Sequence, residues 1–452
     1  MAGPGSPVSP RSAAWALAWL ACTVATLSLF AHPTTARIDP DEAYWIGSSY
    51  YYHLAFEQGD WRGTHPDWKL LPARENPPVA KYVIGLGLAL SGRHITTIDG
   101  LGTFYAFFAA KIGQAEREKE QAAKQAAVLD RMNPELRRLV TDTRKMYLDP
   151  GLIVAARVIM LACAALTSLF VFIVGASTAG SATGLLASQI LLIHPAVRNA
   201  YDHAMADAVA LMFGAAAALA AWLFFRRFYC HPERSEGSAV TPRTGVLFAL
   251  LNGVLIGLAA AAKMNWLTVA FLFGAAVLYV AVESWRRDRT RSWLAIACGA
   301  GGLATALAVF VLINPAIVGD PIAGLVAVVR EPQMTTAVQA RVLAYPAYLA
   351  SVGAKLSAVG RLMLGSPLLF ALAALGVAIA TVRAPRVGVW FVAAWWAIAL
   401  VVVTAWIPFE WKRYILPMVI PFTVLVAYTL VAGTSALIRI FKQSPPHARV
   451  PA

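Results

Sequence analysis

PPVAKYVIGLGLALS, residues 77–91, is apolar enough to enter a bilayer, yet it is short and carries Lys81. Whether it crosses decides the topology of the whole chain. A membrane span needs about 20 apolar residues. Ten other segments come near that length: 13–31, 152–175, 182–196, 205–225, 245–262, 266–283, 293–313, 367–382, 387–407 and 415–440. If 77–91 does not cross, the basic linkers all fall on one side of the membrane. These hold Arg226, Arg227, Arg234 and Arg243, then Arg286, Arg287, Arg289 and Arg291, then Arg383 and Arg386, then Arg439 and Lys442. If it does cross, those linkers move outside and the cytoplasmic bias of Lys and Arg is inverted. The segment therefore belongs outside the cytoplasm, in one long first external loop, 32–150. There it reads as a helix lying at, or dipping into, the membrane interface.

The rest of the organisation follows. A membrane domain, 1–440, carries a second large external loop at 314–365, and residues 441–452 form a short cytoplasmic tail. The chain of 452 residues is 59% hydrophobic and 14% charged, with a mean hydropathy of +0.61, far from the composition of a soluble globular protein. The expected fold class is all-α: a polytopic membrane protein with about ten transmembrane helices and interfacial helices in the first loop. The net charge of +14 sits in short runs between apolar segments, so it reads as an orientation signal and not as a nucleic-acid surface. Cys22, Cys163 and Cys298 lie in apolar segments and Cys230 in a basic linker, which gives neither a disulfide framework nor a CxxC metal site. Residues 13–31 have one nearby Arg and no small-residue cleavage site before Pro33, so they read as a retained span in preference to a signal peptide. Residues 93–149 form a charged insertion with helical character, broken at Asn133-Pro134. Its 10 Lys and Arg nearly balance 8 Asp and Glu, the pattern of a solvated helical hairpin. A part in recognising an acceptor is the alternative reading.

On this map only Glu233, Glu236, Glu283 and Asp288 fall on the Arg-rich side, and the other 20 of the 24 acidic residues lie outside or at the outer boundary. Chemistry is expected there. IDPDEAYWIGSSYYYHLAFEQGDW, residues 38–61, puts Asp41 and Glu42 just beyond the first span. Asp39, Asp41 and Glu42 suit the start of a helix by meeting its dipole, and Tyr44, Trp45, Tyr50, Tyr51 and Tyr52 are ring types that favour a membrane interface. In AYDHAMADA, residues 200–208, Asp202 and Asp207 are too far apart to share a helical face, and Asp207 opens an apolar span. An ionisable group there costs about 2.5–3.5 kcal/mol, so it is either functional or structurally hydrogen-bonded. Lys263, in GLAAAAKMNWLT, and Arg413, in FEWKRYILP, stand at the outer ends of two spans. Snorkelling to headgroups accounts for either one singly. Two carboxylates and two cations at one boundary also meet the needs of a lipid-phosphate-linked substrate: a base for the nucleophile and positive charge for a departing phosphate. A multi-spanning transporter or flippase is the alternative function, although no charge lies near the middle of a span and no inverted repeat is visible.

At these residues the chain resembles the polyprenyl-phosphate-sugar-dependent glycosyltransferases of the GT-C fold, within them the protein O-mannosyltransferase and aminoarabinose lipid A transferase group. DEAYW followed by GDW resembles that family's first-loop acidic motif, and ENPPVAKYVIGLGLALSG resembles its HPPLAK or EKPPL segment. AYDHAMADA is similar to the segment after the third span, GLAAAAKMNWLT to the Lys-Tyr or Lys-Trp segment, and WKRYILP to the terminal Arg-Tyr-Leu-Pro. Departures are Asn76 where the family often has His or Lys, His203 where the mannosyltransferases often have Arg, the long insertion, and the lack of a soluble MIR-type region.

The resemblance implies an inverting transfer of a sugar from a polyprenyl-phosphate carrier to an acceptor hydroxyl of a protein or of a cell-envelope glycolipid or polymer. It implies an integral protein of a bacterial inner or plasma membrane, among membrane lipids, acting on the external face. Asp41 would be the general base and Glu42 would orient the site or share that role. Lys263 and Arg413 would hold the donor phosphate, Asp207 with Asp202 or His203 would place the acceptor or a cation, and Asn76 and Lys81 would belong to a supporting loop. No cofactor is required. A divalent cation is conceivable if Asp41, Glu42, Asp207, His53 and His203 converge, but no HExxH-type spacing supports one.

Overall fold

Inside a bilayer the backbone must satisfy its own hydrogen bonds, so long apolar segments fold as helices. The computed structural model describes residues 10–36, 39–97, 150–229, 242–341, 349–363, 367–382 and 387–443. Most of the charged insertion and parts of the basic linkers, including Arg234, Arg383 and Arg386, lie outside the described residues. All regular elements among the described residues are helical.

The chain runs through α1 (Pro10–Phe30), α2 (Pro40–Ser48), α3 (Val79–Leu90), α4 (Pro150–Ala179), α5 (Ser181–Ile193), α6 (Pro195–Asp202), α7 (Ala206–Tyr229) and α8 (Pro242–Ala262). It continues through α9 (Thr268–Trp285), α10 (Arg289–Leu312), α11 (Pro321–Arg341), α12 (Val352–Met363), α13 (Pro367–Val382), α14 (Val387–Trp406) and α15 (Leu416–Gln443). Among the described residues, eight helices are long and apolar enough to cross a membrane, and a bent pair, Val352–Met363 with Leu368–Val382, makes nine if taken as one span.

Two of the ten expected spans fall short on length alone. α5 has 13 residues and α13 has 16, about 20 and 24 Å of helix. Connectivity shows that both nevertheless carry the chain from one face to the other. α4 begins beside the first loop, because Arg157 holds the carbonyls of Pro33 and Ala36. The chain is back at that face after α5: Asp202 accepts from the backbone N–H of His32, and Arg198 donates to the carbonyl of Phe30. The same reasoning applies to α13. It follows α12, which Arg361 ties to Glu410, between α14 and α15, and Lys355 ties to the carbonyl of Ala405 at the end of α14. It leads to Gly388, which packs on Thr178 at the other end of α4.

Residues 77–91 do not cross. The 12-residue α3 starts where Tyr82 donates to the carbonyl of Ile313 at the end of α10. It finishes where Arg93 packs on Gly151 at the start of α4, so both of its ends are on the first-loop face. Arg226, Arg227 and the linker from Arg286 to Arg291 lie at the opposite ends of α7, α9 and α10.

Two glycines make close approaches that place the loops. Gly63, at φ +66°, lets the first loop meet the second, since a Cβ there would lie 2.0 Å from the carbonyl oxygen of Pro315. Gly214 in α7 admits the indole of Trp266, whose ring would be 1.9 Å from an added Cβ.

One expectation is corrected. Tyr44, Trp45, Tyr50 and Tyr51 do not lie on the membrane interface: they are buried in the protein. Rings of this size fill the space under the first loop, and their polar ends find partners there. Tyr51 packs on Trp68 at 5.0 Å and donates to the Asp67 carbonyl, while Tyr50 donates to the Asp67 carboxylate at 2.8 Å.

The topology is directly testable. In sealed cells a membrane-impermeant maleimide should label Arg62→Cys, in the exposed part of the first loop. It should reach Arg287→Cys only after the membrane is opened.

Candidate active site

The site grows from the first turn of α2. Asp39 is the N-cap, its carboxylate accepting from the Asp41 N–H at 2.8 Å, and Glu42 completes a capping box by reaching back to the Asp39 N–H. The helix-start reading of this acidic run is therefore correct as far as it goes. Successive helical residues point about 100° apart, so the two acids of the first turn face different surroundings.

Glu42 points into the protein and is fully buried. Arg157, about two turns into α4 and 1% exposed, forks onto it: Nε donates to Oε1 at 2.6 Å and Nη2 to Oε2 at 2.7 Å. Oε1 also accepts from the Ala204 N–H at 2.9 Å. The remaining arm of Arg157 donates to Pro33 and Ala36, each at 3.0 Å. One ion pair thus joins the chain leaving α1, the start of α2, the body of α4 and the entry to α7.

Asp41 points outward. Its Oδ2 accepts from Nη1 of Arg413 at 2.5 Å, with the aspartate side chain 39% exposed and the arginine 24%. Arg413 comes from the one-turn helix Lys412–Ile415 that opens α15, and its guanidinium rests on the Trp411 ring at 4.3 Å. Asp207, in the first turn of α7, accepts from Lys263 Nζ at 2.5 Å. The aspartate is 3% exposed and the lysine 21%. Lys263 occupies the break where α8 ends and the turn Met264–Leu267 begins, a turn seated by Trp266 on Gly214.

These two pairs form one cluster. The Tyr414 ring lies 5.8 Å from Lys263 Nζ and 6.0 Å from the Arg413 guanidinium. Burial holds the Lys263 ammonium below the usual lysine range; Asp207 pulls it upward, the charge of Arg413 pushes it further down, and Asp41 is close enough to pull it upward as well. The cluster has two carboxylates and two cations, and such a set suits an anion that arrives beside a hydroxyl to be deprotonated.

Other expected residues take other places. Asp202 caps the end of α1 through His32, and the His203 ring lies 3.0 Å from the Asn199 carbonyl. Lys81 is fully buried, donates to the carbonyls of Pro72 and Asn76, and has the Tyr51 ring 5.3 Å away. Asn76 donates to the Tyr44 hydroxyl at 3.4 Å. Both brace the first loop. His53 joins Glu57, which also takes His94. Asp41, Glu42, Asp207, His53 and His203 therefore do not converge, and among the described residues no three His, Cys, Asp or Glu are grouped to hold a metal. In the GDW stretch, Asp60 accepts from Thr64, His65 and Trp68. Burial raises its carboxyl, but these donors more than offset that and hold it below the usual range.

Arg157 was missed at the level of sequence. Its signal is an ionisable residue inside an apolar segment, a weak one near a span's end, where a long side chain also reaches water on its own.

No protein-family model and no curated protein sequence matches the chain. Solved structures do. ArnT from Cupriavidus metallidurans bound to undecaprenyl phosphate aligns at a TM-score of 0.50 and 16% identity over 95% of this chain and 63% of that one. The Archaeoglobus fulgidus oligosaccharyltransferase in its apo form aligns at 0.52 and 11% over 97% and 53%. AglB from the same organism, in complex with an inhibitory peptide and a dolichol-phosphate, aligns at 0.50 and 12% over 98% and 53%. The chain thus spans 53–63% of the length of these proteins. At such identities the likeness is one of fold: the helical membrane architecture is of the GT-C type.

Removing either half of the buried fork leaves an uncompensated charge, so Glu42→Gln and Arg157→Gln should each destabilise the protein by about 3–5 kcal/mol. Thermal unfolding of the purified protein reads this. Arg157→Lys should recover only part of the loss, since an ammonium cannot reproduce the two-pronged contact.

Proposed function

We propose that the protein is a membrane glycosyltransferase that moves a sugar from a polyprenyl-phosphate carrier to an acceptor hydroxyl on the external face. The observation that carries this reading is the four-charge cluster, Asp41 with Arg413 and Asp207 with Lys263, built at the same ends of helices in a GT-C type fold. Among the fold neighbours, ArnT is bound to undecaprenyl phosphate and AglB is in complex with a dolichol-phosphate, which supports a lipid phosphate as the donor's carrier. The acceptor is a protein Ser or Thr or a cell-envelope glycolipid or polymer.

In this mechanism Asp41 takes the proton of the acceptor hydroxyl as its oxygen attacks the anomeric carbon. The bond from that carbon to the phosphate oxygen breaks with inversion, and its electron pair leaves on the polyprenyl phosphate. Arg413 and Lys263 stabilise the negative charge that grows there, Arg413 by forked contacts and Lys263 as a point charge. Asp207 keeps Lys263 charged and aimed. Glu42, locked by Arg157, is a positioning residue that turns Asp41 outward. Asp202 and His203 stand at the edge of the same face, where an acceptor would approach.

Purified protein incubated with a labelled polyprenyl-phosphate sugar and candidate acceptors should transfer the label, and transport across vesicles without transfer would replace this reading with the transporter one. Asp41→Asn should lower turnover by about 10²- to 10⁴-fold. Lys263→Ala should act mainly on the donor KM.

The pH dependence has a definite sign. Lys263 must be protonated to hold phosphate, and its pKa is lowered from the ordinary value of 10.5. Donor binding should therefore weaken as pH rises, at a lower pH than an unperturbed lysine would allow, and Lys263→Arg should shift that limb upward.

A further inference from the structure

We propose that the Asp41–Arg413 pair is a phosphate-sensitive latch: Asp41 occupies Arg413 in the ligand-free molecule, and the donor phosphate displaces it, freeing Asp41 as a base. The proposal rests on the polyprenyl-phosphate reading above and assigns Asp41 a second role, as a determinant of donor affinity.

The two pairs of the cluster have the same length, 2.5 Å, but not the same surroundings. Asp207 is 3% exposed. Pulled from Lys263, it would be a buried unpaired carboxylate, which is strongly unfavourable. That pair is fixed, and an incoming anion meets Lys263 from its open side. Asp41 is 39% exposed, so it is released into water at little desolvation cost. Its helix does not have to move, because Glu42, the Asp39 cap and Arg157 hold the first turn of α2 independently of Asp41. Of the two carboxylates, only Asp41 is exchangeable.

Exchange changes what Asp41 can reach. In the ligand-free pair its Oδ2 is taken by Nη1 of Arg413; once phosphate holds the guanidinium, both carboxylate oxygens are free to meet the acceptor hydroxyl and receive its proton. The neighbouring rings keep Arg413 in place during the exchange, since its guanidinium remains over Trp411. The alternative is that phosphate docks on the unused N–H groups of the guanidinium beside an undisplaced Asp41, with two like charges held together. That arrangement would leave the Asp41 oxygen committed to Arg413 at the moment it is needed.

The latch has a measurable effect on affinity. If the pair is open in about 10% of molecules, a typical minor-state population, phosphate binding is weakened about tenfold, and abolishing the pair removes that penalty. Binding of polyprenyl monophosphate to the purified full-length protein in lipid nanodiscs is the test. Asp41→Asn should bind it about tenfold or more tightly than the wild type while losing transfer, and Lys263→Ala should bind it more weakly. Glu283→Gln, at the opposite face, removes the same charge and should change nothing. A gain of affinity does not arise from misfolding. Unchanged or weaker binding by Asp41→Asn overturns the latch but leaves the donor reading intact. Wild type, Asp41→Asn and Lys263→Ala all failing to bind polyprenyl phosphate would overturn the donor reading itself, and the latch with it.

Discussion

A glutamate and an arginine removed from water next to each other are tolerable only if their geometry is close to ideal and their remaining hydrogen-bonding capacity is filled. Glu42 and Arg157 meet both conditions. The fork uses two donors of the guanidinium, two carbonyls take the third nitrogen, and the glutamate also accepts from Ala204. Because those partners come from four separate stretches of chain, the pair cannot form unless the end of α1, the first loop, α4 and the entry to α7 have all arrived. Once it has formed, the direction of Asp41 is no longer free. Fixing Glu42 inward on a capped helix turns its predecessor toward Arg413, 372 residues further along the chain.

The cations stand where helical regularity fails. Lys263 occupies a break after α8 and Arg413 a single turn before α15. At such breaks the backbone is irregular, and it is tolerated at membrane depth only where it is buried in protein or lines a polar cavity. Placing charge there concentrates polar groups at one level of the bundle. The opposite ends of α7, α9 and α10 carry the basic linkers, where Arg287 pairs with Glu283 but arginines outnumber the acids, whereas the cluster matches each carboxylate with one cation.

Much of this was legible in the sequence because ionisable residues bordering apolar segments have few innocent explanations. Asp41, Asp207, Lys263 and Arg413 could all be picked out in that way, and the basic linkers sufficed to keep 77–91 from crossing. The partners could not be read. Nothing local says that Asp41 meets Arg413 and Asp207 meets Lys263, since the choice depends on how α7, α8 and α15 pack. Asp202 and Asp207, five residues apart, end on different helices with different jobs because a turn at His203 to Met205 separates them. Arg157 is not distinguished by sequence, since an arginine near a span's end has a bland reading; only the burial of Glu42, a tertiary fact, removes it. α5, expected as a span at 182–196, has only 13 helical residues, and its crossing is established by what the chain touches before and after it.

The tyrosines of the first loop show how the same residue type serves two surroundings. Read from sequence, a run of aromatic rings just outside a span suggests an interfacial belt. Here the rings are buried, and the apolar side chains left exposed on this part of the molecule are largely aliphatic: Leu86 and Leu90 of α3, at 42% and 76%, with Phe56 at 48% beside them. A twelve-residue apolar helix with both ends on one face and leucines turned outward is stable in contact with lipid and poorly matched to water. The loop is therefore seated in the membrane by α3, and its aromatic residues are the packing between that seat and the bundle. Lys81, on α3, is bonded to the carbonyls of Pro72 and Asn76, which ties the seat to the loop it carries. The depth of α3 in the bilayer and the height of the charge cluster above it are consequently set by one rigid piece of structure.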